Sequence, residues 1–156
     1  GIGKSETALA LVERGHRLIA DDNVLLTRTP SNEIHGAPPP RLRYHIELRG
    51  IGIVNVRDLF GATAVRDRAP VELVVELCHW DDADHFERLG LDELRRTLLG
   101  VELAMLRIPV RPGRNMAVIL EVAARNQLLK RAGRHAARDF VRSLHRDAGL
   151  DDPRND

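Results

Sequence analysis

The residues Gly1-Ile2-Gly3-Lys4-Ser5-Glu6-Thr7 carry the second half of a phosphate-binding loop. Such a loop has the form G-x-x-x-x-G-K-[ST]: its glycines let backbone N–H groups approach phosphate oxygens, its lysine reaches the β- and γ-phosphates, and its hydroxyl helps hold Mg²⁺. Gly3-Lys4-Ser5 supplies the essential end, and the first glycine of the pattern falls before residue 1. On this reading Gly1, Ile2, Gly3, Lys4 and Ser5 cradle the phosphates. The alternative is a glycine-punctuated turn ahead of an ordinary surface helix. The context separates the two. A helical pattern runs over residues 5–14 and stops at Gly15, which puts a helix N-terminus behind the loop, as anion binding requires. An apolar run over 17–20 follows and ends in Asp21 and Asp22, resembling a strand-end acid beside a phosphate loop.

Two adjacent carboxylates on a strand point to opposite sides, so Asp21 and Asp22 can serve a metal and a reacting hydroxyl separately; alone, they would also fit a solvated turn. Glu47-Leu48-Arg49-Gly50-Ile51-Gly52 puts a carboxylate, a guanidinium and two glycines just before an apolar strand. That suits tight backbone near phosphate and metal, and equally a strand-turn-strand with incidental charges. Arg111 and Arg114 flank Pro112-Gly113, where a stiff loop could clamp an oxyanion or be merely basic. Arg88, by position alone, reads as solvated. The histidines at 16, 35, 45, 79, 85, 135 and 145 lack metal-ligand spacing and read as structural or surface residues, with the role of His45 open. Cys78 reads as a core residue.

The elements that must hold these residues alternate in type. Strands are expected over 17–20, 23–29, 51–56, 71–78 and 101–108, with 44–48 ambiguous. A turn is expected at 30–32, and loops at 36–40 and 109–114, where prolines oppose helix and central strand. Asn115 is placed to cap a helix over 116–132; Gly133 interrupts, and a second helix is expected over 134–148. The sum is one α/β domain over residues 1–150, strand-rich in the middle with helices at both ends, then a polar tail at 151–156. A net charge of +1 gives no global field for nucleic acid or an anionic membrane. No apolar stretch reaches the roughly 18 residues of a membrane span. One cysteine excludes an internal disulfide and suits a reducing cytoplasm.

Taken together, these segments resemble the bifunctional HPr kinase/phosphorylase family of bacteria. The resemblance runs through the opening loop, Arg14 to Asp22, Glu47 to Val56, Leu59-Phe60-Gly61-Ala62, Asp84 to Leu91 and Ile108 to Asn115. It implies a P-loop kinase domain similar to phosphoenolpyruvate carboxykinase, with a central β-sheet flanked by helices and helices at the C-terminus. It implies ATP and Mg²⁺ as cofactors, the phosphocarrier HPr as partner and substrate, and a homohexamer. The implied chemistry is phosphorylation of a seryl hydroxyl, reversed by phosphorolysis to pyrophosphate. Carried onto this sequence, Lys4 holds phosphates, Ser5 and Glu47 hold Mg²⁺, Asp22 is general base and, in reverse, general acid, and Asp21 is its neighbour. Arg49 falls in the signature segment, Arg88 matches a catalytic arginine, and 109–114 matches a segment tied to dephosphorylation. The family also carries an N-terminal domain, and a strand, a catalytic histidine and the first loop residues ahead of the position matching Gly1; the chain is therefore expected to be a fragment or a truncated product. Other readings are an inactive module that binds HPr or a nucleotide, and a P-loop kinase for another substrate.

Overall fold

The computed structural model describes residues 3–81 and 93–149. Gly1, Ile2, Arg88 and the 151–156 tail lie outside them. Helix α1 spans Lys4–Glu13. It closes as its sequence requires: Gly15 takes φ 95, its N–H bonds Val12 O, and the His16 N–H bonds Leu11 O. This paired closure satisfies the last carbonyls and favours a residue without Cβ at the left-handed position.

The run over 17–20 is extended but is not a strand. Among the described residues only Leu18 pairs, in a parallel bridge with Val65, through Leu18 N–H to Ala64 O and Arg66 N–H to Leu18 O. Its partner segment is short, because a 3₁₀ turn at Ala62–Ala64 precedes Val65 directly. β1 (Leu25–Arg28) and β2 (Ile34–Ala37) form an antiparallel hairpin, and β2 also pairs with β5 (Ala69–Pro70). The loop expected at 36–40 therefore begins later. Gly36 sits inside β2, where a Cβ would come within 3.0 Å of a Val24 methyl. Pro38 and Pro39 stay outside the sheet, and Pro40 opens a 3₁₀ turn, Pro40–Leu42.

The ambiguous segment at 44–48 yields β3 (His45–Leu48), antiparallel to β4 (Gly52–Asn55). The strand expected to reach residue 56 stops at Asn55, whose side chain accepts the Asp58 N–H and starts α2 (Val56–Phe60). β6 (Leu73–His79) lies parallel to β8 (Val101–Val110), whose other side carries antiparallel β7 (Leu94–Leu98). Pro109 and Val110, expected in a loop, extend β8. Among the described residues β7 pairs with β8 only as far as Met105, so Pro109 interrupts no described pairing on that side. Asn115 caps α3 (Met116–Arg131), and His135 Nδ1 accepts the Arg138 N–H to cap α4 (Ala136–Asp147).

Among the described residues the strands form three sheets rather than one central sheet. The core that matters for the site is the cluster Val12, Leu18, Ile46, Leu48, Val56, Ala64 and Val65, which locks α1 against β3 and α2. Along β3 the side chains alternate: Ile46 and Leu48 are buried in this core, so Glu47 between them must face outward.

Candidate active site

Gly3 adopts φ 82 at the N-cap of α1, a left-handed conformation that an L side chain resists. Its carbonyl accepts from the Thr7 N–H at 3.0 Å and the Thr7 hydroxyl at 2.8 Å. Lys4 and Ser5 then open the helix, so backbone N–H groups without helical partners and the positive end of the helix dipole meet the two side chains that anion binding uses.

Asp21 ties this helix start to β3. The Ser5 hydroxyl donates to Asp21 Oδ1 at 2.8 Å, and Asp21 Oδ2 accepts the Glu47 N–H at 3.1 Å. Both of its oxygens are thereby used in holding the loop to the strand. Asp22 is exposed and turns elsewhere. It lines an open cavity of about 450 Å³ together with Gly3, Lys4, Ser5, Glu6, Glu47 and Arg49. The chain thus brings Lys4, Ser5, Asp22, Glu47 and Arg49, far apart in sequence, to one place. Arg49 arrives there because Gly50 (φ 88) and Gly52 (φ 99) fold the β3–β4 connection tightly.

Asp22 and Glu47 also border a second cavity of about 210 Å³, with Pro39, Leu42, His45 and Ile53 on its walls. Leu42 and Ile53 are exposed apolar residues at its rim. His45, whose role the sequence left open, lines this second space, its Nδ1 bonded to the Arg43 carbonyl at 2.7 Å.

The donor set suits Mg²⁺. A hydroxyl and carboxylates are hard oxygen ligands, and Mg²⁺ commonly takes only one or two carboxylates alongside substrate phosphates and water. Among the described residues no group of three or more His, Cys, Asp or Glu forms a metal cage. Ser5 and Glu47 in one cavity are therefore the donors such an ion would use with a bound nucleotide.

Arg111 and Arg114 do not line the phosphate-loop cavity; both guanidinium groups lie over the Trp80 ring, at 5.1 and 5.5 Å from its centroid. Sequence reasoning passed over Trp80 altogether. Its one signal was its place at the end of an apolar strand pattern. Glu121 on α3 was also missed. Its carboxylate accepts hydrogen bonds from Arg14 Nε at 2.6 Å and His16 Nε2 at 3.2 Å, and forms an ion pair with Arg125 Nη2 at 2.9 Å. The hydrogen bond from Arg14, then that from His16, holds the carboxyl down at about 2, and the same contact raises Arg14. The far end of α1 is thereby anchored to α3.

The fold and site define an α/β domain whose first helix, opened by Gly3-Lys4-Ser5, faces a carboxylate-bearing hairpin. The sequence model of the HPr Serine kinase C-terminal domain matches residues 1–144, and the chain belongs to that family. It is 47% identical over 144 residues to the HPr kinase/phosphorylase of Geobacter sulfurreducens, covering 92% of this chain and 45% of that protein. Against the HPr kinase/phosphorylase of Listeria monocytogenes serotype 4a it is 45% identical over 156 residues, covering 100% of this chain and 50% of that one. The chain spans about half the length of the curated relatives it matches. The solved structure of the HPr(Ser) kinase/phosphatase from Coxiella burnetii superposes with a TM-score of 0.77 at 35% identity, covering 93% of this chain and 86% of that chain. No helix among the described residues is long and apolar enough to cross a membrane.

Proposed function

We propose that this chain is the catalytic portion of an HPr kinase/phosphorylase, which phosphorylates a serine of HPr with ATP and removes that phosphate by phosphorolysis. The observation that carries the reading is the position of Asp22 and Glu47 between two cavities. One has the phosphate loop for a floor, and the other is an apolar-rimmed space where the hydroxyl of a protein substrate can approach. Family membership and the names of the relatives support HPr as the substrate.

In the forward direction Lys4 and the helix start hold the β- and γ-phosphates. The seryl oxygen attacks the γ-phosphorus, the bond to the β-phosphate oxygen breaks, and ADP leaves. Asp22 accepts the seryl proton. In reverse, an oxygen of inorganic phosphate attacks the seryl phosphate, the phosphorus–seryl oxygen bond breaks, and pyrophosphate forms. Asp22, now protonated, returns its proton to the seryl oxygen. Most of the rate enhancement in such transfers comes from alignment and charge neutralisation, which Lys4 and Arg49 supply here. Mg²⁺, when bound through Ser5 and Glu47, would neutralise phosphate charge. Arg88, outside the described residues, is assigned to the transferring phosphoryl group by its family match alone. The same reading takes the domain as a P-loop kinase fold akin to phosphoenolpyruvate carboxykinase, working in the cytoplasm as a homohexamer.

The test is transfer from ATP to purified HPr in the presence of Mg²⁺, by this chain and by a version lengthened at its amino end to complete the loop. Transfer by the lengthened protein is expected, and its Asp22→Ala variant should lose at least about 100-fold in turnover, the usual scale for a general base. Undiminished turnover by that variant would remove Asp22 from its role. No transfer by either folded protein would remove the kinase reading.

A further inference from the structure

β3 presents two side chains outward. Ile46 and Leu48 are buried in the core, so the residues that alternate with them, His45 and Glu47, share the opposite face. Both line the cavity of about 210 Å³ that Asp22 also borders, with Pro39, Leu42 and Ile53 as its apolar side. The phosphate-loop cavity takes in Asp22 and Glu47 but not His45. The imidazole therefore belongs to the side of the two carboxylates from which an acceptor hydroxyl approaches.

His45 Nδ1 lies 2.7 Å from the Arg43 carbonyl. A carbonyl oxygen only accepts, so Nδ1 carries the proton, and Nε2 of the neutral ring keeps its lone pair. Among the described residues no group of the protein bonds Nε2. Tyr44, between the two partners, has φ 72, a left-handed bend that departs from the extended course of β3. A non-glycine residue in that conformation is strained and persists where its surroundings over-determine it, which is common at functional sites. Tyr44 is held from three directions. Its carbonyl accepts the Val56 N–H at 2.8 Å, its hydroxyl donates to Asp67 Oδ1 at 3.1 Å, and the Arg57 guanidinium lies 5.4 Å from its ring centroid. The bend sets the direction of the next side chain, and the Arg43 carbonyl sets its tautomer.

We propose that His45 is a specificity-determining residue for the protein substrate: Nε2 accepts a hydrogen bond from a main-chain N–H beside the reacting serine, while Asp22 takes the seryl proton. The main chain is the donor because the proton of the hydroxyl already goes to Asp22, and because a main-chain N–H is available close to a serine whatever its neighbouring side chains. Leu42 and Ile53 stand exposed in the same cavity. A segment seated against them shuts out water, which strengthens a hydrogen bond made there. The identity of the substrate rests on the kinase/phosphorylase reading; the face and tautomer of His45 rest on β3 and the Arg43 carbonyl.

Two amides separate the two ring nitrogens. Gln places a carbonyl oxygen where Nε2 stands, and Asn places an NH₂ group where Nδ1 stands. Transfer to HPr from ATP with Mg²⁺, and calorimetric binding of HPr, are measured for the protein lengthened at its amino end and for its His45→Asn and His45→Gln variants. His45→Asn should raise both the KM for HPr and its Kd by at least about tenfold, the scale of one hydrogen bond to a substrate, with the KM for ATP unchanged. His45→Gln should recover most of that loss. A merely structural ring gives the reverse order, because Asn keeps the bond to Arg43 and Gln loses it. Nitrogen NMR of the parent ring at pH 8 needs no variant to fold: it should show a proton on Nδ1 alone, and an Nε2 signal that moves when HPr is added. A ring protonated on Nε2, HPr binding indifferent to His45, equal rises in KM for HPr and ATP, or better function in Asn than in Gln would each overturn the proposal. HPr binding that depends on His45, without transfer, would leave the contact standing and remove the kinase reading. Transfer indifferent to His45 would do the opposite, and neither binding nor transfer would remove both.

Discussion

Two adjacent aspartates do unlike work because the backbone turns them to unlike neighbours. Asp21 spends both oxygens on the Ser5 hydroxyl and the Glu47 N–H. Removing the carboxylate leaves the Glu47 N–H and the Ser5 hydroxyl without this acceptor. Asp21→Ala is therefore expected to lower stability by about 1–3 kcal/mol, the scale for leaving a partly buried donor without its partner. Asp22 is exposed, so Asp22→Asn should leave stability within about 0.5 kcal/mol while abolishing transfer. Urea unfolding beside a transfer assay separates the pair. If the two variants exchanged phenotypes, the proton acceptor would be Asp21. Gly3 makes a sharper case: at φ 82 a Cβ meets nothing closer than Glu6 Oε2 at 3.8 Å, so the penalty of Gly3→Ala is conformational rather than steric crowding. A loss of about 1–2 kcal/mol is expected in the same unfolding experiment.

At the scale of elements, ends were legible and pairings were not. Asn115 announces α3 because a cap is a local arrangement: its Oδ1 accepts the Val118 N–H three residues on. Asn115→Ala should cost about 1 kcal/mol by urea denaturation, and Asn115→Asp much less, since both side chains accept that bond. Gly15 and Gly133 likewise mark helix ends through φ alone, at 95 and 87. Strands depend on what lies opposite. The 17–20 run looked like a strand by its apolar content, yet among the described residues it pairs with Val65 alone. β7 went unseen because Leu94–Leu98 is mostly exposed and charged, and because its turn uses Leu99 at φ 48, where Asn or Gly would have signalled a hairpin. Pro109 argued for a loop, yet it lies opposite Cys78 in the parallel pairing of β6 with β8, a partner that no local pattern announces. The site followed the same division. Lys4, Ser5, Asp22 and Glu47 stood out by type and neighbourhood, whereas the Trp80 stack depends on the parallel register of β6 and β8, to which no short-range pattern points.

Across the whole molecule, α1 begins at the site with Gly3-Lys4-Ser5, and its far end meets α3. Glu121 of α3 ties the two together through Arg14 and His16 at the end of α1, with Arg125 of α3 itself alongside. The Glu121 carboxyl is held at about 2 in the folded protein against an ordinary value of 4.5. Between those values the unfolded chain binds a proton that the folded chain refuses, so stability rises with pH across that window. The contribution is complete above about pH 4.5 and is lost as pH falls toward 2. Glu121→Gln should therefore melt at lower temperature than the parent at pH 7. The gap between the two proteins should narrow as pH is lowered through that window, because the parent loses there what the variant never had. Melting curves at pH 7, 4 and 2.5 test this, and a constant gap would show that the carboxylate charge does not clamp α1 to α3. The same variant bears on the site. With the far end of α1 released, Lys4 and Ser5 remain on an intact helix whose direction is less constrained. Phosphate affinity at the loop, read from phosphorus NMR linewidths, should therefore fall although the substitution leaves Lys4 and Ser5 themselves untouched.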